Sequence, residues 1–66
     1  MTAEEIREWD DTEIRARLQE LQEERFRLKF RTATMELESP TILKTIRRDI
    51  ARLKTVLRER ELAAQS

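Results

Sequence analysis

Across its 66 residues the chain has no glycine, and its only proline is Pro40. Glycine and proline are the residues that most sharply interrupt a helix. A helix is therefore free to run on either side of one break near the middle, and a two-helix hairpin is the natural expectation. The fold class follows as all-α. A break of only a few residues turns the second helix back antiparallel to the first.

Local signals place the ends. Asp10 followed three residues later by Glu13 fits a capping box, with Trp9 ahead of the cap and Ile14 spaced to close a hydrophobic staple around it. From Ile14 the apolar positions step by four and three through Leu18 and Leu21, skip at Arg25, and resume at Leu28 and Met35. This seam predicts helix one over about residues 11–35, a rod of about 36 Å at 1.5 Å per residue. Residues 36–40 form the corner, Glu36 to Glu38 leading to Ser39, a favoured N-cap, and Pro40, suited to a first helical position. The second seam, Leu43, Ile46, Ile50, Leu53 and Leu57, predicts helix two over about 41–62. Upstream, TAEEIRE predicts a short extra helical turn that folds Ile6 and Trp9 against the hairpin. The expected unit is one helical-hairpin domain over residues 1–66. So small a unit buries little apolar surface, and a hairpin like this is expected to need a partner surface.

Charge is balanced overall, with 14 bases against 14 acids, but not along the chain. Residues 1–38 hold seven bases and eleven acids, a balance of −4, and residues 39–66 hold seven and three, a balance of +4. The segment IRRDIARLKT, Ile46 to Thr55, concentrates the difference. On a helical wheel at about 100° per residue with Ile50 at zero, the second seam lies within about 60° of it. Lys54, Arg47, Arg58, Lys44, Arg48 and Arg52 then follow in that order over an arc from about 40° to 200°, with Ala51 and Thr55 among them. Asp49 stands off that arc at about −100°, and Glu59 reaches only its rim. A solvated helix face ordinarily alternates signs for i, i+4 pairing, and this one does not. Six cations on one side suit phosphate, with arginine forks for bidentate contacts and Ala51 leaving room for a backbone to come close. Nothing resembles an element for reading base edges. A folded RNA, recognised by shape and backbone, is the expected partner.

Helix one carries a second feature, RFRLKFR from Arg25 to Arg31, which interleaves four bases with two aromatics. Phe26, Phe30, Ala33 and Leu37 recur on a side away from the Leu21 seam. The stripe either packs on the N-terminal turn or a wide hairpin core, or offers a docking strip to another macromolecule. Stacking of an aromatic on a base is a further option.

Histidine, cysteine and tyrosine are absent, which removes the commonest general base, the thiolate nucleophile and the phenolic acid. Carboxylate doublets near helix starts are accounted for by capping and the helix dipole, and there is no glycine for a phosphate-binding loop. No enzyme, cofactor, metal site or small-molecule substrate is expected. The acidic N-terminal segment has no signal-peptide core, and no run approaches the roughly 18 apolar residues of a membrane span. A cytoplasmic, membrane-free location is expected.

The run LKTIRRDIARLKTVLRERE, Leu43 to Glu61, resembles the signature of the bacterial large-subunit ribosomal protein family numbered twenty-nine. The segment RFRLKFRTATMELESP, Arg25 to Pro40, is similar to what precedes it in that family, and the Asp10 cap and helix one align as well. The resemblance implies an antiparallel helical hairpin that binds large-subunit ribosomal RNA at the rim of the polypeptide exit tunnel. It also implies the ribosomal protein numbered twenty-three as a neighbour, and a region where nascent-chain factors land. Carried onto matching positions, it makes Arg47, Arg48, Arg52, Lys54 and Thr55 RNA contacts, extended by Lys44 and Arg58, with Lys29 and Phe30 contributing from helix one. The chain departs from the family at Arg25, where an apolar residue is usual, at Lys29, where arginine is commoner, and at Met35, where glycine is frequent. An antiparallel coiled-coil interaction module is the competing reading, and Arg25 on the seam argues against it because tight self-assembly would bury a charge.

Overall fold

The structure, a computed structural model, describes residues 1–34 and 40–65, with side chains described for residues 1–31 and 41–65. It consists of three helices, α1 (Ala3–Arg7), α2 (Asp11–Thr34) and α3 (Pro40–Gln65). There is no strand among the described residues. The two long helices pack against each other as an antiparallel hairpin. Arg60 near the end of α3 reaches Asp11 at the start of α2, which fixes the direction of the pairing. The molecule is a rod of 48 × 17 × 16 Å. Met35, the Glu36–Glu38 corner and the Ser39 cap lie outside the described residues. Helix α3 begins at Pro40 and runs to Gln65, three residues past the expected end near 62.

The starts of α1 and α2 are each explained by a side chain. Thr2 caps α1 in a complete capping box: its hydroxyl accepts from the Glu5 N–H at 3.2 Å, and the Glu5 carboxylate accepts from the Thr2 N–H at 3.2 Å. At the next start the Asp10 carboxylate accepts from the Glu13 N–H at 2.8 Å. Such caps satisfy N–H groups that have no partner within the helix. The cap at Asp10 lets α1 and α2 follow each other with only three residues between them.

The core is a single apolar seam. Ile14, Leu21 and Leu28 from α2 meet Ile46, Ile50, Leu53 and Val56 from α3, and Ile6 from α1 closes one end. Leu18, Leu43, Leu57, Trp9 and Met1 are partly buried against its edges. The buried side of α3 is wider than a two-helix seam. On the wheel centred on Ile50, Leu53 lies at about −60° and Val56 at about −120°, yet Leu53 is wholly buried and Val56 nearly so. The cause is α1, which packs on α3 and covers that negative flank. Val56 was therefore missing from the seam expected on sequence grounds, which had α3 facing one helix rather than two.

Arg60 ties this end together. Its guanidinium, on the same flank at about −80°, donates to the carbonyl oxygens of Arg7 at 3.0 Å and Trp9 at 2.6 Å and to the Asp11 carboxylate. Those carbonyls belong to the last residue of α1 and to the link that follows it, where backbone acceptors lack helical partners. Charge-assisted bonds to such groups are the strong class. Replacing Arg60 with alanine is expected to lower unfolding stability by about 2 kcal/mol and to strip hydrogen-exchange protection from residues 3–7 while α2 and α3 keep theirs. An unchanged urea midpoint would show that α1 is held by Ile6 burial alone.

Candidate nucleic-acid interface

Helix α3 sets its cations by periodicity alone, because its other side is committed to the core. With Ile46, Ile50, Leu53 and Val56 buried, Lys44, Arg47, Arg48, Lys54 and Arg58 are all exposed on the far side. Among the described residues none of these five is ion-paired or hydrogen-bonded through its side chain. By contrast, α2 spends its outer bases locally, in pairs Arg17–Glu20 at 3.1 Å and Arg27–Glu23 at 3.8 Å. Exposed pairs of that kind add little stability, but they cancel charge. The α3 arc keeps its own.

Two of the acids on α3, Glu59 and Asp49, are compensated. Glu59, at the rim of the arc, accepts from both Nε and a terminal nitrogen of Arg7 at 3.3 Å. Asp49, expected to stand apart, accepts from Arg52 at 3.2 Å. Arg52 also donates to the Met1 carbonyl at 3.3 Å. Arg52 thus sits on the border between the basic arc and α1, with part of its hydrogen-bonding capacity already used. The i, i+3 spacing of Asp49 and Arg52 was the sequence signal for that pair. Thr55 turns its hydroxyl onto its own helix, donating to the Ala51 carbonyl at 2.8 Å. Lys44, Arg47, Arg48 and Ala51 line a shallow depression of about 340 Å³. A methyl side chain at its floor lets a ligand backbone approach while three cations surround it.

Lys29 and Phe30 lie on α2, both exposed. Their relation to the arc follows from handedness. Angles counted in the same sense along each of two antiparallel helices place their positive flanks on the same side of the pair. With Leu21 at zero, Arg25 falls at about 40°, Lys29 at about 80°, Gln22 at about 100°, Phe26 at about 140° and Phe30 at about 180°. Lys29 therefore shares a flank with Lys54, Arg47 and Arg58, opposite the flank that α1 covers. Phe30 points directly away from the hairpin. Phe26 and Phe30 are 72% and 63% exposed, so neither fills a hairpin core nor packs under α1. The side chains of Ala33 and Leu37, which would extend the stripe, lie outside the described residues.

The residue that sequence reasoning overlooked is Arg60, a structural clamp rather than part of the arc. A base on the same flank as Leu53, with Asp10 and Asp11 opening the antiparallel partner, was the available signal. Among the described residues no helix is long and apolar enough to cross a membrane, and no cluster of three or more acidic side chains is placed to hold a metal ion.

The sequence model of the family described as Ribosomal L29 protein matches residues 4–60. The chain belongs to the ribosomal L29 protein family. The match reaches into all three helices and includes every cation of the arc. Among its relatives, a large ribosomal subunit protein uL29 from Gemmatimonas aurantiaca is 65% identical over 65 residues, covering 98% of this chain and 97% of the relative. The uL29 protein of Natranaerobius thermophilus is 56% identical over 62 residues, covering 94% and 95%. That of Geobacillus stearothermophilus is 50% identical over 64 residues, covering 97% of each.

Proposed function

We propose that the chain is a non-enzymatic structural constituent of the large ribosomal subunit in the cytoplasm, and that it binds large-subunit ribosomal RNA through the cationic arc of α3. Membership of the ribosomal L29 family supports the subunit assignment. The observation that carries the RNA assignment is the arc itself: five exposed cations, Lys44, Arg47, Arg48, Lys54 and Arg58, with no acid among the described residues paired to any of them. Arg52 borders it, and Lys29 adds to its flank from α2. Phosphates supply the missing counter-charge, and a straight helix presents a row of cations to a sugar–phosphate backbone without reading base edges. Thr55 and Phe30 complete the proposed contact set.

The location that fits this reading is the rim of the polypeptide exit tunnel. There the chain stands beside the ribosomal protein numbered twenty-three, in a region visited by nascent-chain factors. The rod shape suits a protein laid along RNA rather than inserted into it. Sucrose-gradient sedimentation of cell extract tests the assignment. The chain, carrying a C-terminal tag, is expected to travel with the large subunit at low salt and to be stripped from it by high salt. A chain that stays at the top of the gradient at low salt contradicts it.

A further inference from the structure

We propose that Phe26 and Phe30 form a stacking platform for unpaired bases of the bound RNA, so that α2 and α3 present one continuous nucleic-acid surface. The inference rests on the RNA-binding reading above and extends it to the α2 side of the hairpin.

Two exposed phenyl rings one helical turn apart are costly to leave in water on so small a protein. Their surroundings say what covers them. Phe26 borders three shallow clefts. One, of about 210 Å³, is lined by Gln22, Arg25, Phe26 and Lys29, a second, of about 350 Å³, by Phe26, Arg27, Phe30 and Arg31, and a third, of about 360 Å³, by Gln19, Gln22, Glu23, Phe26 and Arg27. Among the described residues no acid lines the first two, and Glu23 is the one acid lining the third. Glu23, the acid on the adjoining surface, is occupied by Arg27 and by Gln19, whose amide donates to it at 3.4 Å. Each ring is therefore edged by cations. An apolar peptide or a second copy of this chain would leave Arg25 and Lys29 without counter-charge. A nucleotide supplies both halves of the match, a π face for the ring and a phosphate for the neighbouring cation.

Arg25 contributes a separate observation. Its Nε is buried and has no hydrogen-bond acceptor in the structure, an unfavourable state for a charged donor. The side chain lines the Phe26 cleft, so an acceptor arriving there, phosphate or base edge, approaches the guanidinium. Position agrees. Arg25, Lys29 and Phe26 lie on the flank that handedness assigns to the arc of Lys54, Arg47 and Arg58. Bases inside a continuous duplex have no free face, so the ligand element is a loop, bulge or junction lying next to the backbone that α3 holds.

The test is binding of the full chain to a large-subunit ribosomal RNA fragment with unpaired loops and to a fully paired RNA of the same length. The variants are Phe26→Ala with Phe30→Ala, Phe26→Leu with Phe30→Leu, and Arg47→Glu with Arg48→Glu, each checked for helicity by circular dichroism. Both phenylalanine variants are expected to lose roughly tenfold in affinity for the looped fragment, with an unchanged salt slope and no loss on the paired RNA. Leucine keeps the apolar bulk but not the π face. Wild-type affinity in the leucine variant would overturn stacking, and wild-type affinity in both phenylalanine variants would overturn the platform altogether. A wild-type dimer in sedimentation that the alanine variant dissolves would also overturn it, assigning the strip to self-association. The arginine variant reports separately on the arc: if it binds as wild type, the failure lies in the reading on which this inference rests.

Discussion

Replacing Leu53 with aspartate is expected to leave the chain without a cooperative unfolding transition at 25 °C and with most of its helical circular dichroism lost. Leu53 is wholly buried, at the level where α1, α2 and α3 come together. Aspartate there loses the apolar contacts of a leucine and places a carboxylate where no described cation points, a combination that costs several kcal/mol. A scaffold of this size has only about 3–5 kcal/mol to lose. The substitution removes essentially all of it. Leu53→Met, which conserves volume, is expected to cost less than about 1.5 kcal/mol and to keep the transition. A sharp melt in the aspartate variant would mean that the seam does not run where the structure places it.

Reversing Arg47 and Arg48 together is expected to have the opposite profile, with helicity and melting temperature retained and RNA affinity lowered on the order of 100-fold. Both side chains are exposed and among the described residues neither is tied to another part of the chain, so the fold loses little when they change. The slope of log affinity against log salt is also expected to flatten by roughly one to two, since each phosphate left unneutralised no longer releases counterions. Arg52 is the poorer probe for this purpose. Its bonds to Asp49 and to the Met1 carbonyl mix a structural loss into any binding loss. A drop in affinity with no change in slope would show that Arg47 and Arg48 act through something other than phosphate.

The hairpin was legible because its cause is local. A chain that has one proline and no glycine, and apolar residues at steps of three and four, can satisfy its backbone only as two helices joined at Pro40. The Asp10 cap is equally local, reaching three residues along the chain; the Thr2 cap obeys the same rule but was not among the expectations. The sequence placed Ile6 and Trp9 of the N-terminal turn against the hairpin, as the structure has them; what could not be read was which flank α1 covers. A wheel centred on Ile50 treats α3 as facing one partner, and by that standard Val56 belongs to the solvent side and Arg60 to a surface flank. Both change role once α1 covers that flank: Val56 becomes core, and Arg60 becomes the clamp on the Arg7 and Trp9 carbonyls.

The cationic arc shows the same division. Its angular span on α3 needs only the helical repeat, whereas its borders are tertiary, set where Arg7 takes up Glu59 and where Arg52 turns toward Met1 and Asp49. The double role of α2 was visible as two apolar stripes, and only the exposure of Phe26 and Phe30 separates the stripe that packs from the stripe that does not.

The most direct test of the RNA assignment is the affinity of the purified chain for large-subunit ribosomal RNA fragments over a series of salt concentrations, measured beside a scrambled RNA of equal length. Five unpaired cations facing phosphate predict a preference for particular fragments and a slope of log affinity on log salt of roughly −3 to −5. A slope near zero, or equal affinity for the scrambled RNA at every salt concentration, would contradict the assignment.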